Sequence, residues 1–269
     1  MFFPRVSLIL CSLALLAGCA LTQEPADKTK DWPASKIYTT GKKALDNGDY
    51  DTAIKYFESL ETRFPFGRHS QQAQLDIAYS YYKQGEADAA IAAIDRFTRT
   101  YPRHPHIDYA YYLRGRINFG RERNILDRVL RKDPSSRDPA AGLESYRDFE
   151  TLLKRFPDSR YADDTRQRMV YLRNNLAKHE IQVADYYMRR GAYVAAANRA
   201  KFVIENFQQT PSVPDALAVL VRAYTKLELE DLRATSLRVL ELNYPDHPVI
   251  AETKDSKRRW WPHLGKSSK

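Results

Sequence analysis

The stretch YFESLETRFP (Tyr56–Pro65) has three close counterparts in the chain, AIDRFTRTYP (93–102), DFETLLKRFP (148–157) and SLRVLELNYP (236–245). Each has helical spacing of its apolar residues and closes on an aromatic residue followed by proline. Proline ends a helix because it has no N–H group and because it restricts the residue before it. Strand-like alternation is scarce elsewhere, whereas helical spacing is common. The sequence therefore predicts an all-α protein built from repeats.

Small residues recur in phase when these units are aligned on the closing proline. Small side chains let two helices approach closely, and a bulky residue four positions later fills the groove between them. The small position of the first helix is occupied by Gly41, Ala78, Gly115, Ala184 and Val221. The small position of the second helix is occupied by Ala53, Ala90, Ser145 and Ala196, and the pattern fails at Arg233. The following apolar position is occupied by Phe57, Ile94, Phe149, Ala200 and Leu237.

This pattern resembles the tetratricopeptide repeat (TPR), a helix pair of about 34 residues. The resemblance implies a superhelical solenoid of about five helix pairs over residues 34–248, with N-terminal repeats at 34–157 and C-terminal repeats at 158–248. The third unit has an insertion, Gly120–Pro139, which is either functional or disordered. A long helix, Tyr161–Arg190, leads into the fourth unit, and we expect a break near Asn174–Asn175.

The first residues of the chain read as an export signal with a lipid attachment site. An apolar run from Val6 to Leu16 is too short to span a bilayer. Leu16-Ala17-Gly18-Cys19 resembles a bacterial lipobox, which implies cleavage after residue 18 and a covalent lipid on Cys19. An uncleaved anchor or a plain signal is the alternative. Ala20, where the enterobacterial sorting rule would place Asp for inner-membrane retention, implies delivery to the outer membrane.

Two polar segments flank the predicted repeats. Residues 19–33 read as a lipidated, flexible tether, because the stretch after Ala20 is polar and has two prolines. Residues 249–269 form a basic tail with Trp260 and Trp261, which we interpret either as a contact with an anionic interface or as a solvated tail. The formal net charge of +9 is compatible with nucleic acid binding, but an outer-membrane location argues against that partner.

The sequence carries no pattern that predicts catalysis. The motifs HExxH and GxSxG and a glycine-rich phosphate loop are all absent. The six histidines are scattered, and the pair His104 and His106 lies in a proline-rich turn, which is more typical of a surface loop than of a metal site. The only cysteines are Cys11 and Cys19, so a metal cluster of cysteines is impossible. We therefore expect a binding protein with no metal and no cofactor besides the lipid.

Several long stretches resemble the BamD (ComL) family, lipoproteins of the machinery that assembles β-barrel proteins in Gram-negative outer membranes. They are RFPFGRHSQQAQLD (63–76), AAIDRFTRTYPRHPHIDYAYYLRG (92–115), SYRDFETLLKRFPDSRYADDTRQRMVYLRNNLAKHE (145–180) and VADYYMRRGAYVAAANR (183–199). The resemblance covers residues 19 to about 248. It implies a protein that faces the periplasm and binds the POTRA domains of a BamA-like barrel protein, other Bam lipoproteins and unfolded outer-membrane proteins.

Two groups of candidate binding residues follow from this resemblance. The first helix of each TPR unit lines the concave face, which predicts a substrate groove of tyrosines and basic residues: Tyr38, Lys42, Tyr79, Tyr82, Lys83, Tyr112 and Arg116. Such a groove suits a barrel substrate that ends in an aromatic residue and a free carboxylate. For the BamA-like partner, the C-terminal repeats offer arginines that would match acidic residues on a POTRA domain: Arg189, Arg190, Arg199 and Arg222.

Two other functions remain open from the sequence alone. One is a periplasmic TPR lipoprotein that serves as a scaffold for cell-wall enzymes or for peptidoglycan. The other, weaker alternative is a cell-wall hydrolase, which the absence of a suitable pair of carboxylates disfavours.

Overall fold

A computed structural model describes residues 29–122 and 138–253 of the chain. Within these ranges the protein is helical and contains no strand, which confirms the predicted all-α class. The helices are α1 (Ala34–Asp46), α2 (Tyr50–Arg63), α3 (Arg68–Gln84), α4 (Ala87–Thr100), α5 (Ile107–Glu122), α6 (Ala140–Arg155), α7 (Ala162–Arg189), α8 (Tyr193–Asn206), α9 (Val213–Lys226) and α10 (Glu230–Asn243). No helix in the described ranges is long and apolar enough to cross a membrane.

The aromatic-proline pairs end helices, as the sequence predicts. The aromatic residue of each pair has left the helical conformation, yet its N–H still donates to the carbonyl four residues earlier. This holds for Phe64, Tyr101, Phe156 and Tyr244, which end α2, α4, α6 and α10 respectively. The proline that follows has no N–H with which to continue the ladder of hydrogen bonds. The repeated sequence motif is therefore a repeated helix stop.

The helices form two compact units that divide within α3, between Ser80 and Tyr81. In the first unit, α1 packs against α2. Gly41 of α1 is buried beneath the ring of Phe57, and a Cβ atom at Gly41 would lie 2.8 Å from Cε1 of that ring. This contact is the close approach that the small-residue pattern predicts for a helix pair.

The first described residues, which the sequence analysis assigned to the flexible tether, pack on the first unit. The guanidinium of Arg63 donates to the backbone carbonyls of Thr29, Lys30 and Trp32. The ring of Trp32 stacks on Tyr56, with 6.1 Å between the ring centroids. An arginine that satisfies three carbonyls fixes the chain just before α1, so the folded part begins at or before residue 29.

In the second unit, α5 and α6 repeat the same packing. Gly115 lies against Phe149, and a Cβ atom there would be 2.5 Å from Cε1 of the phenylalanine. Ser145, the small residue of the second helix, donates its hydroxyl to the carbonyl of Gly115 at 2.9 Å. A small residue on each helix therefore brings the two backbones within reach of one side-chain hydrogen bond.

The long helix α7 is continuous, so the expected break near Asn174–Asn175 is wrong. Its bounds, Ala162–Arg189, agree with the predicted ones to within one residue at each end. Leu172 packs with Phe119 and Phe149 of the preceding helices, whereas Ala177 and the residues after it pack with α8 and α9. The two asparagines lie between these clusters, where packing on both sides supports the helix through residues of low helix propensity.

The start of the predicted insertion and the start of the predicted tail differ from their expected bounds, whereas the insertion ends at Pro139, as predicted, because α6 begins at Ala140. Helix α5 continues to Glu122, past the expected start of the insertion at Gly120, and the residues 123–137 lie outside the described ranges. Residues 248–253 are helical, and Val249 and Ile250 are buried against α9 and α10. The packed core therefore extends beyond residue 248. The signal, Cys19 and residues 254–269 lie outside the described ranges.

Candidate protein-binding surfaces

In the first unit, three of the predicted groove residues lie on α1 and α3. The hydroxyl of Tyr38 donates to Oδ2 of Asp76 at 3.0 Å, and its ring packs on His69, with 5.1 Å between the centroids. Lys42 pairs with Asp46, one helical turn away, at 3.4 Å. Tyr79 is half-buried on α3. Tyr38 therefore has an intramolecular partner, and its side chain is held in place.

The carboxylate that holds Tyr38 lies in a largely buried environment. Burial raises the pKa of Asp76, while the nearby charge of Lys42 and the hydrogen bonds from Tyr38 and Gln72 oppose that rise. Burial, followed by the neighbouring charge of Asp76, also raises the pKa of Tyr38. The phenol therefore stays protonated and acts as a hydrogen-bond donor. Sequence reasoning selected Tyr38 and missed Asp76.

In the second unit, three predicted groove residues meet in one cluster. The guanidinium of Arg116 donates from Nη1 to the hydroxyl of Tyr112 at 3.1 Å and from Nη2 to the hydroxyl of Tyr82 at 3.2 Å. The hydroxyl of Tyr112 in turn donates to Oδ2 of Asp164 at 2.7 Å. Lys83, the next residue after Tyr82 on α3, is exposed. We call Tyr82, Tyr112, Arg116 and Asp164, together with Arg168, the tyrosine–arginine cluster.

The cluster carries one excess positive charge. Arg168 binds both oxygens of Asp164, at 2.6 and 2.9 Å, in a bidentate pair. Burial opposes the charged form of Asp164, but the hydrogen bonds from Arg168 and Tyr112 outweigh it and lower the pKa of this carboxyl. Among the described residues, the hydrogen bonds of Arg116 go only to the two hydroxyls. Two arginines thus share one carboxylate.

A stack of aromatic rings borders the cluster. Tyr112 stacks on Tyr161 at a centroid distance of 4.4 Å, with their planes nearly parallel. Arg116 lies over the ring of Tyr112 at 5.7 Å, and Arg168 lies over Phe119 at 4.9 Å. Cations over ring faces are stabilised by the ring quadrupole. Tyr161, Asp164 and Arg168 all lie at or near the start of α7 and could not be recognised as part of the groove from repeat spacing.

A partly buried ion-pair network fixes the helix that carries Arg116. Arg114 donates from Nε to Oδ1 of Asp148 at 2.8 Å and from Nη1 to Oδ1 of Asp95 at 2.6 Å. Asn118 donates to the other oxygen of Asp148 at 3.2 Å. Burial raises the pKa of Asp148, and Arg114 opposes that rise. The network ties α5 to α4 and α6, so the position of Arg116 on α5 is set by its neighbours.

The four arginines predicted for the partner contact do not form a purely basic patch. Arg199 on α8 pairs with Glu180 of α7 at 3.0 Å, and Arg222 on α9 pairs with Glu252 at 3.2 Å. Arg190 lies over the ring of Tyr186 at 5.4 Å, and Arg189 is exposed at the end of α7. Sequence reasoning found the arginines and missed the acidic residues beside them.

Arg222 also lies beside a cavity of about 480 Å³ between α7, α9 and the turn that follows α10. Asp185 and Asp215 line it together with His247, whose Nε2 lies 3.3 Å from Oδ1 of Asp215. Burial raises the pKa of Asp185, opposed by Arg222 and Arg189. Positive and negative groups thus alternate over this surface. No group of described residues has the composition of a metal site.

Comparison with known proteins shows the family. Residues 30–240 match the family model YfiO, described as an outer membrane lipoprotein. The chain belongs to this family. The outer membrane protein assembly factor BamD of Neisseria gonorrhoeae is 45% identical over 259 residues, which cover 94% of this chain and 97% of that protein. BamD of Xylella fastidiosa strain Temecula1 is 40% identical, covering 97% and 88% of the two chains.

BamD of Vibrio cholerae is 36% identical, over 87% of this chain and 96% of that protein. All three relatives are named assembly factors, which confirms the expected non-enzymatic class. Among solved structures, a Podosopora anserina kinesin light chain with TPR-like repeats aligns with 82% of this chain and 96% of its own, at 13% identity and a TM-score of 0.35. That similarity is too low to bear on the fold, which rests on the helix pairs described above.

Proposed function

We propose that this chain is a lipid-anchored component of the outer-membrane protein assembly machinery that faces the periplasm. Two observations support the proposal. The relatives that share most of its length are named outer membrane protein assembly factors, and the matching family is described as an outer membrane lipoprotein. The lipobox-like stretch ending at Cys19 supplies a residue to which a lipid can be attached.

The tyrosine–arginine cluster is the proposed contact for an unfolded barrel substrate, and its excess positive charge is the observation that carries this role. When a substrate carboxylate reaches Arg116, the guanidinium exchanges its neutral hydroxyl acceptors for a charged acceptor. Charge-assisted hydrogen bonds are about twice as strong as neutral ones. Tyr82 and Tyr112 offer rigid apolar area with polar tips, which suits an aromatic residue next to that carboxylate.

The C-terminal repeats are the proposed contact for the POTRA domains of a BamA-like barrel protein, with other Bam lipoproteins as further partners. Arg199 and Arg222 are half-exposed and each holds a single carboxylate. Arginine can serve a second acceptor because its planar guanidinium has five N–H donors. An acidic residue of the partner would share the guanidinium with Glu180 or Glu252 at such a site.

Photo-crosslinking tests the substrate contact. A photoreactive residue in place of exposed Lys83 should trap a peptide with the C-terminal sequence of a barrel protein, and amidating the peptide's carboxylate should reduce the yield severalfold. Matched positions on second helices, Glu58 and Arg96, are also exposed and serve as controls. Equal capture at the control positions, or equal capture of the amidated peptide, would contradict the proposed site.

A further inference from the structure

The last described elements border an open cavity of about 750 Å³ whose lining shares only Arg222 and Glu252 with the proposed partner contact. It lies between α9, the start of α10 and residues 248–253. Its lining combines apolar surface with charge and includes Val221, Tyr224, Lys226, Glu228, Arg233 and Val249. The volume is large enough for one or two aromatic side chains.

Two leucines near the lining residues in sequence are partly exposed. Leu229 precedes Glu230 directly and Leu232 follows it by two residues, and these leucines are 44% and 47% exposed. The backbone at Glu228 has φ of 57°, a left-handed conformation that a non-glycine residue seldom adopts. Its carboxylate forms no ion pair or hydrogen bond with another residue in the described ranges. The lining has three acidic and three basic side chains, and Arg222 pairs with Glu252 and Arg233 with Glu230. The carboxylate of Glu228 is therefore the anionic group of the lining that remains for a basic occupant.

Two consecutive segments at this end of the chain differ in the sign of their net charge. Residues 226–253 carry six acidic side chains and three basic ones, although the whole chain has a formal net charge of +9. The sixteen residues that follow, KDSKRRWWPHLGKSSK, carry six basic side chains and one acidic one. The two segments are thus oppositely charged, and the basic segment begins directly beside Glu252 and Thr253, which both line the cavity.

We propose that the chain's own C-terminal segment, residues 254–269, docks in this cavity through Trp260 and Trp261. Trp260 follows Thr253 by seven residues, which reach at most about 25 Å when extended. Thr253 itself lines the cavity, so Trp260 and Trp261 can reach its lining from the last described residue. The indole rings fill the apolar part, and Arg258 or Arg259, next to them in sequence, pairs with Glu228.

The docked segment caps the last repeat. In repeat proteins each unit buries its apolar face against the next, so the last unit needs a capping element. The short helix 248–253 begins that cap with Val249 and Ile250. The docked tryptophans extend it over the apolar and aromatic lining of the cavity at Val221, Tyr224 and Val249.

Crosslinking from the tail tests the proposal in the full chain, reconstituted in bilayers that contain anionic phospholipid. A photoreactive residue at Trp261 should form crosslinks within one chain to peptides from residues 221–253, and a residue placed at Ser268 serves as the matched control. Glu228→Lys should lower the yield severalfold. Glu205→Lys, at an exposed position of α8, should leave it unchanged.

Three results of the crosslinking from Trp261 would overturn the proposal, and one result of the Glu228→Lys variant would do so as well. They are crosslinks from Trp261 mainly to phospholipid, crosslinks mainly to a second copy at the mass of a dimer, and a yield no higher than that from Ser268. An unchanged yield in Glu228→Lys also overturns it. Thermal unfolding of each variant is measured alongside, because a wild-type transition shows that the variant is folded.

Discussion

Individual glycines decide how closely the helix pairs approach. Gly41 and Gly115 each face the ring of a fully buried phenylalanine, and neither site has room for a methyl group. Helix propensity alone would favour alanine at both positions by about 1 kcal/mol. Packing therefore overrides propensity at these two residues, and glycine is retained in the middle of a helix because of its small size.

Gly115→Ala should destabilise the protein despite the higher helix propensity of alanine. The new methyl group would lie 2.5 Å from Phe149, so α5 and α6 must move apart, and overpacking of this kind costs about 1–3 kcal/mol. Gly120→Ala on the same helix is the control, because nothing lies within 4 Å of its added Cβ. Urea unfolding should show a loss for the first variant and no loss for the second. Similar stabilities for the two variants would refute the packing argument.

Asp76→Asn should change how stability depends on pH. The folded-state pKa of Asp76 is raised by burial above the unfolded value near 3.8, so the contribution of this group is fully present below that value and is lost as the pH rises through the folded pKa. Asparagine does not titrate and still accepts a hydrogen bond from Tyr38. The stability of the variant relative to wild type should therefore increase as the pH is raised from about 3 to about 7.

Urea unfolding of both proteins at the two pH values measures this shift, since all other titrating groups cancel in the difference. A stability difference that stays constant with pH would show that Asp76 titrates normally. If the relative stability of the variant instead fell with rising pH, the contacts with Tyr38 and Lys42 would lower the pKa of Asp76 by more than burial raises it.

At the scale of elements, α7 joins two packing clusters and contributes to both candidate surfaces. Its first turns supply Asp164 and Arg168 to the tyrosine–arginine cluster, and its last turns place Glu180 and Asp185 beside the partner arginines. The sequence predicts the bounds of this helix well because Pro157 and Gly191 mark its ends. Its continuity through Asn174 and Asn175 could not be predicted, because packing on both sides decides it.

For each candidate surface, the sequence predicts the tyrosines or arginines but not the acidic residues that pair with them. The in-phase repeat places Tyr82 and Arg116 on the first helices of successive units, and the structure brings these two residues together. Asp164 lies 52 residues after Tyr112, beyond the insertion, so repeat spacing could not reveal that contact. Acidic partners such as Glu180 depend on which helix faces meet, and scattered charges on helix surfaces carry no such information.

Arg199→Glu should weaken co-purification of a BamA-like protein at least severalfold. The change removes a guanidinium that an acidic partner residue could share and places a second carboxylate beside Glu180. Arg199→Gln removes the charge without the repulsion and should have a smaller effect in the same direction. Arg238→Glu, on the exposed surface of α10, is the control. Unaltered co-purification with an unaltered helical circular dichroism spectrum would remove Arg199 from the contact.

At the scale of the whole molecule, the lipid attachment decides where the binding surfaces act. Cys19→Ser should release the protein from the outer-membrane fraction, because one thioether-linked lipid site is the proposed anchor and buried acyl groups contribute about 0.8 kcal/mol per CH₂. Membrane fractionation and the mass of the mature protein measure the effect. A Cys19→Ser variant that still sediments with the outer membrane, together with a lipid-free wild-type mass, would exclude the anchor.

The central claim is that the tyrosine–arginine cluster recognises the free carboxylate of an unfolded barrel protein. The most direct measurement compares the affinities of a free and an amidated C-terminal barrel peptide for wild type, Arg116→Gln and the exposed control Lys154→Gln. The account predicts that wild type and the control prefer the free carboxylate about tenfold, which corresponds to about 1.4 kcal/mol, and that Arg116→Gln loses this preference. A preference that survives in Arg116→Gln would contradict the account.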